Sequence, residues 1–280
     1  MSDASSAQNV VRPVPPVPRP PQAAPANGGG NDPKFRHEFV GMMFAVTVGE
    51  VGLQTAALVK AKDFLHFLPA YSHLILATVI IATSWVGWTL SKSRGGQKDV
   101  GGIFEREFLI LLLDVALVIL YFILVRAVDF VGEGETIRLR ASARPEASWV
   151  WWIFLLYVIW DIVAKWPVKE KVDRVRMAPS VACLVLASVV WVIVRDADAP
   201  HVLTADFALL SLILFFRALK DVASAYFSKD PPPADLPRRR TLALRWSVVS
   251  GIGLLVGLIW TCSGPLPQSI VDAIQRMPAN

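Results

Sequence analysis

The chain has 280 residues, of which 54% are hydrophobic and only 18% charged, against about 25% charged in an ordinary soluble domain. Its mean hydropathy is +0.48. The formal net charge is +5, but the basic residues fall between long apolar runs, so they read as orientation signals in a membrane and not as a nucleic-acid surface.

Residues 1–33 hold seven prolines from Pro13 to Pro25 and then Gly28, Gly29 and Gly30. Proline lacks the N–H that a helix needs, so this part reads as a disordered cytoplasmic tail. Its VRPVPPVPRPPQ stretch is also a PxxP ligand for a protein partner. No basic-then-apolar signal peptide opens the chain, so the first apolar helix is expected to do the targeting.

The hydrocarbon core of a bilayer needs roughly 20 helical residues to cross it. Seven apolar stretches meet that length, at 39–59, 68–90, 107–127, 148–166, 178–195, 203–223 and 245–263. The expected fold is therefore all-α, a polytopic transmembrane helix bundle over residues 34–264. A short outer tail follows at 265–280, where SIVDAIQRM has the composition of a surface helix. Pro69 and Pro179 stand where spans begin, Pro167 and Gly264-Pro265 where they end, and Ser148 reads as an N-cap. Between the third and fourth spans, TIRLRAS alternates like a short strand.

Of the 28 basic residues, 20 fall on one side if the spans alternate from a cytoplasmic N-terminus. They lie in the tail, in the second loop (Lys92, Arg94, Lys98, Arg106), in the fourth (Lys165 to Arg176) and in the sixth (Arg217 to Arg245). The positive-inside rule then places the N-terminus in the cytoplasm and the C-terminus outside, with a bacterial inner membrane as the expected location. Of the ten tryptophans, Trp85, Trp88, Trp160, Trp166 and Trp246 fall at the inner boundary, and Trp149, Trp151, Trp152, Trp191 and Trp260 at the outer one.

VKEKVDRVR at 168–176 spaces its valines like one face of a helix in the headgroup layer. Lys169, Lys171, Arg174 and Arg176 would there contact anionic lipid, as would Arg238, Arg239 and Arg240 in an irregular loop after Pro231, Pro232 and Pro233.

Ionisable groups at membrane depth are costly and mark candidate sites. In the first span Thr47, Glu50 and Gln54 share a polar stripe, beside a small-residue face of Gly41, Ala45 and Gly49. Asp114 lies in the third span on one face with Glu107 and Tyr121. Asp161 lies in the fourth, one turn from Tyr157 and from Lys165, its local ion-pair partner. Glu50, Asp114 and Asp161 line an inward-facing polar cavity if their helices are neighbours; otherwise each joins helices. His73 and Asp206 fall near the outer boundary, where water reaches. Arg126, Arg217 and Lys220 sit at span ends, positioned to snorkel. Gly253-xxx-Gly257 reads as a helix-packing seam.

No cofactor, metal or catalytic motif is legible. There is no GxxxxGK(S/T), HExxH or GxSxG. Cys183 and Cys262 lie in apolar runs without CxxC spacing and read as packing residues. The last span has no lysine for a retinal, and an inside N-terminus opposes the seven-helix receptor pattern. The stretch from Arg36 through Phe39, Phe44 and Ala45 to Thr47 resembles the first helix of lysosomal- and bacterial-type potassium channels. That family opens with an Arg and a Phe-Ser-Asp run before a Phe-Ala pair, in a six-helix unit. Here Val40 and Gly41 replace the Ser-Asp, and the likeness stops at residues 36–47.

Three function classes follow. The first is a transporter or channel using the intramembrane carboxylates. The second is a non-enzymatic structural or interaction subunit of a signalling or defence complex, recruiting partners through the tail and basic loops. The third is a lipid-acting enzyme, which needs a catalytic cluster that the spacing does not supply. A C-terminal reporter tests the orientation: periplasm-active fusions are expected to work and cytoplasm-active ones to stay silent.

Overall fold

The computed structural model describes residues 34–60, 67, 68–93, 105–127, 130–131, 138–139, 142–165, 171–194, 202–227 and 236–263. Seven helices carry the fold: α1 (Lys34–Val59), α2 (Leu68–Ser93), α3 (Arg106–Arg126), α4 (Ala143–Lys165), α5 (Lys171–Ile193), α6 (Val202–Tyr226) and α7 (Leu236–Ser263). All seven are long and apolar enough to cross a bilayer. The chain is a multi-pass membrane protein, because a helix bonds every backbone group to itself where no water is available.

The surface agrees with a lipid solvent. Met42, Val46 and Leu53 of α1, and Val249, Ile252, Leu255 and Ile259 of α7, lie more than half exposed. A soluble monomer rarely presents so large a contiguous apolar face. Inside, α6 is the central helix, packing against α2, α4, α5 and α7, while α1 packs on α2 and α3 and α4 lies between α3 and α5.

Three boundaries differ from the hydropathy reading. Helix α4 starts at Ala143, five residues before Ser148. Pro145 serves as the starting residue, since a first-turn proline loses no bond. Ser148 is then inside the helix, and its Oγ accepts a bond from Trp191 Nε1 at 2.9 Å. Helix α5 runs unbroken from Lys171, so Pro179 lies within it and does not open it. The amphipathic 171–176 stretch is the first part of a membrane-crossing helix and not a separate surface turn. Helix α7 starts at Leu236 with Pro237 in its first turn, which puts Arg238, Arg239 and Arg240 on helix and not on loop. The strand reading holds in small form, with β1 (Phe130–Val131) pairing antiparallel to β2 (Arg138–Leu139). The Pro-rich tail, Pro167, Trp166 and the SIVDAIQRM segment lie outside the described residues.

The small-residue seam between α6 and α7 is real. A Cβ at Gly257 would stand 2.9 Å from both Cα and Cβ of Ala208, and one at Gly253 2.8 Å from Ser211 Oγ. The matching expectation for α1 fails: Ala45 and Gly49 are exposed, and a Cβ at Gly49 would meet nothing within 4 Å. Trp85, Trp152, Trp246 and Trp260 lie exposed, while other tryptophans turn inward. Trp151 donates to Ser188 Oγ and Trp160 to Asp114 Oδ1, each at 2.9 Å, so these indoles join helices.

Gly257→Ala forces α6 and α7 apart against backbone. It is expected to cost about 1–3 kcal/mol, the usual penalty for overpacking, and to lower the melting temperature in detergent. Gly49→Ala should leave that temperature within error.

Candidate functional site

Residues from the first half of α1 and α5, the middle of α3 and the second half of α2, α4 and α6 meet around one cavity of about 310 Å³. Successive helices therefore alternate in direction, and the cavity occupies one half of the bundle, called here the basic end. Its mouth carries Lys165, Arg176 and the half-exposed Asp221. Its walls hold Asp114, Tyr121, Tyr157, Trp160, Asp161, Ser180, Phe216, Arg217 and Lys220.

Asp161 is the hub. Its Oδ1 takes Lys165 Nζ at 2.7 Å from one turn along α4. Its Oδ2 takes Lys220 Nζ from α6 and the hydroxyl of Ser180 from α5. One carboxylate thus ties three helices together through three donors, two of them ammonium groups, the arrangement that a buried carboxylate requires. Lys220 does not snorkel as its position in sequence suggested. It turns inward, sits 5.6 Å from the Phe216 ring centroid and also reaches the Arg176 carbonyl at 3.3 Å. That carbonyl is next to the one of Val175, whose partner N–H Pro179 lacks, so the Lys220 ammonium supplies a donor beside the gap in the helix ladder.

A second cluster deepens the cavity. Tyr157 OH meets Ser84 Oγ at 2.6 Å and Tyr121 OH at 2.9 Å, linking α4 to α2 and α3. Tyr157 stacks on Phe216 with centroids 5.1 Å apart and planes 15° from parallel. Asp114 is buried and accepts from the Trp160 indole. Arg217 lies along α2 at Gly87, where a Cβ would come within 2.8 Å of its Nη1, and it pairs with Asp221 at 3.4 Å.

The structure brings Asp114 and Asp161 to one cavity and leaves Glu50, Thr47 and Gln54 out of it. Thr47 is buried but bonds its own helix, donating to the Met43 carbonyl at 3.0 Å. Glu50 takes Gln54 Nε2 at 2.6 Å and Arg126 Nη1 at 3.2 Å. Arg126 therefore reaches back to α1 while its side chain stays more than half exposed at the span end. This trio stitches α1 to α3 towards the end opposite the cavity.

The basic residues assigned to lipid also divide. Arg174 and Arg238 are exposed, as is Arg239. Arg176 donates to the Phe227 carbonyl at 2.9 Å. Arg240 forks onto the Ala225 carbonyl from Nε at 3.1 Å and Nη2 at 3.0 Å, and lies over the Tyr226 ring. Those two arginines cover the last carbonyls of α6, a C-capping role that a helix end calls for. Lys169 lies outside the described residues, and Lys171 opens α5.

Sequence reasoning passed over a third polar centre at the opposite end. His73 and Glu146 are fully buried, and Asp206 and Ser72 stand beside them. A water-accessible boundary was expected for His73 and Asp206; the structure encloses both. Glu146, which precedes the fourth span in the hydropathy reading, becomes a core residue because α4 starts early. A Pro in the first turn followed by a Glu was the one available signal. Among the described residues, no group of three or more His, Cys, Asp or Glu has a metal-holding arrangement.

No family model, curated protein or solved structure matches this chain.

Removing the hub's charge while leaving its shape tests the cavity's construction. Asp161→Asn strands two lysine ammonium groups and is expected to cost about 3–5 kcal/mol, as for other broken buried pairs. Adding Lys220→Met should restore part of that loss in detergent unfolding.

Proposed function

We propose that this protein transports a small charged or zwitterionic organic solute, which binds in the cavity at the basic end. The observation that carries the reading is the shape and chemistry of that cavity. It offers a carboxylate flanked by two ammonium groups, tyrosine hydroxyls and flat aromatic walls at membrane depth, with Lys165, Arg176 and the half-exposed Asp221 at its basic end. Beyond Tyr121 and Tyr157 the bundle is closed by a dry layer that includes Ile80, Ile153, Phe154, Leu209 and Leu212, all fully buried. A site accessible from one side and shut on the other by packed side chains fits one state of an alternating-access cycle. A structural subunit has no need of ion-paired groups in a solvent-reachable cavity, where charge is costly.

The positive-inside count supports placing the basic end in the cytoplasm. With Arg176 and Arg240 occupied, Arg174 and Arg238 are the arginines best placed for anionic headgroups. The second reading, recruitment of a protein partner, rests on the PxxP run in residues 1–33. It predicts that deletion of 1–33 abolishes pull-down of partners without altering flux.

Flux into proteoliposomes tests the transport reading, with potassium, sodium, chloride and a mixture of amino acids as probes. Wild-type protein is expected to move the amino acids, and movement of the inorganic ions alone contradicts an organic solute. Lys220→Gln should cut that flux by at least about tenfold, equivalent to 1.4 kcal/mol, while Glu50→Gln leaves it largely intact. A folded protein inert to every probe, or one indifferent to Lys220→Gln, overturns the reading.

A further inference from the structure

The cavity wall shared by α2 and α6 holds a cation whose place is set by a glycine. Arg217 lies against α2 so closely that a Cβ at Gly87 would stand 2.8 Å from its Nη1. A side chain at position 87 would push the guanidinium aside, so the resting place exists because that residue has none. Ser84 stands one turn before Gly87 on the same face of α2. Its Oγ meets Tyr157 OH at 2.6 Å, and Tyr157 OH meets Tyr121 OH at 2.9 Å. Gly87, Arg217 and these hydroxyl-bearing residues all line the cavity. The guanidinium therefore lies about one helical turn from a chain of hydroxyl groups.

The other cations of the cavity are engaged. Lys165 and Lys220 are both bonded to Asp161, and Arg176 donates to the Phe227 carbonyl at 2.9 Å. Arg217 is held more loosely. Its one ion pair among the described residues runs from Nη2 to Asp221, one turn along α6, at 3.4 Å. The Asp221 side chain is 51% exposed, and an exposed pair at that separation is worth little. Nη1, the nitrogen beside Gly87, takes no part in it. A guanidinium is planar and always charged, and its five N–H donors form a fork that matches a carboxylate. Next to Arg217 in the chain, Phe216 stacks on Tyr157 and supplies a flat apolar wall.

We propose that Arg217, laid against α2 by Gly87, is the specificity-determining residue of the cavity and takes the carboxylate of the solute. The hydroxyl groups of Ser84 and Tyr157 serve the remaining hydrogen bonds of that carboxylate, and the aromatic wall takes the apolar body attached to it. The assignment rests on the transport reading and narrows its solute to an organic acid anion, amino acids included. A neutral carboxamide of the same size offers the fork no charge.

Uptake of a labelled amino-acid mixture into proteoliposomes tests this when it is competed with excess unlabelled amino acids or with their carboxamides. The amides keep the size, the amine and the body, and lose the anionic carboxylate. In the wild type the acids are expected to compete at least about tenfold better than the amides, the usual margin for hydrogen bonds to a charged group. Arg217→Gln removes the guanidinium, and Gly87→Ala keeps it but moves it. In both variants that preference should fall towards one while KM rises. Arg217→Lys, which keeps the charge without the fork, should recover part of the preference. An arginine with a purely structural role would change total uptake and leave the preference alone. Equal competition by acids and amides in the wild type overturns the inference and leaves the transport reading standing, whereas absence of any amino-acid uptake removes both. A preference unchanged in Arg217→Gln, or, where that variant fails to fold, unchanged in Gly87→Ala, also overturns it.

Discussion

A charge carried into the hydrocarbon layer has to be matched or neutralised inside the protein, and the bundle is organised around that requirement. Ion-pair geometry of the Asp161 kind gains little at a wet surface. At membrane depth its alternative is a bare carboxylate, so the same contacts become obligatory. Lys165, Lys220 and Ser180 bring α4, α5 and α6 to one carboxyl group. The register of three helices is thereby set by one side chain, and the cavity walls are positioned as a consequence. Elsewhere the seams are made differently. Helices α6 and α7 meet through glycine, alanine and serine, where close approach and dispersion do the work in the absence of a hydrophobic drive between helices.

The spans were legible because hydropathy reports a solvent requirement that every residue of the span must meet. Helix ends were not, because at the boundary that requirement lapses and local chemistry takes over. Ser148 has the composition of an N-cap, yet the helix is already under way at Ala143, since Pro145 costs nothing in a first turn and Glu146 gains a buried partner by joining the helix. Pro179 looks like a start because it lacks an N–H. Packed membrane helices tolerate that loss when a neighbour supplies another donor, and Lys220 reaches the Arg176 carbonyl nearby.

The site was legible only in part, and the division follows the same logic. Asp114 and Asp161 stood out because they interrupt apolar runs, and both line the cavity. Glu50 stood out for the same reason but pairs with Arg126 away from it. Periodicity puts a residue on a face; it does not say which helix that face meets. Lys220 and Arg126 were assigned to water because they sit near span ends, where a long side chain has two choices. The nearest unsatisfied carboxylate decides between them, and its identity is a tertiary fact. His73, Glu146 and Asp206 are far apart in sequence, and His73 and Asp206 read there only as groups near a wet boundary, so their convergence had no signature short of the fold.

Both polar centres share helix α6. Asp206 lies near its start and Lys220 14 residues later, by the numbering of the chain, which at 1.5 Å per residue is roughly 21 Å apart along the axis. The dry layer of Leu209 and Leu212 lies between them on the same helix. A rigid helix cannot rotate or slide at one end alone, so any movement that parts the Lys220–Asp161 pair also strains the contact of Asp206 with Ser72. Coupling between two sites needs a shared element that both bias, and here the element is continuous. Polar contacts at both ends therefore bear on the position of a single helix, and the small-residue seam with α7 holds that helix closely between them.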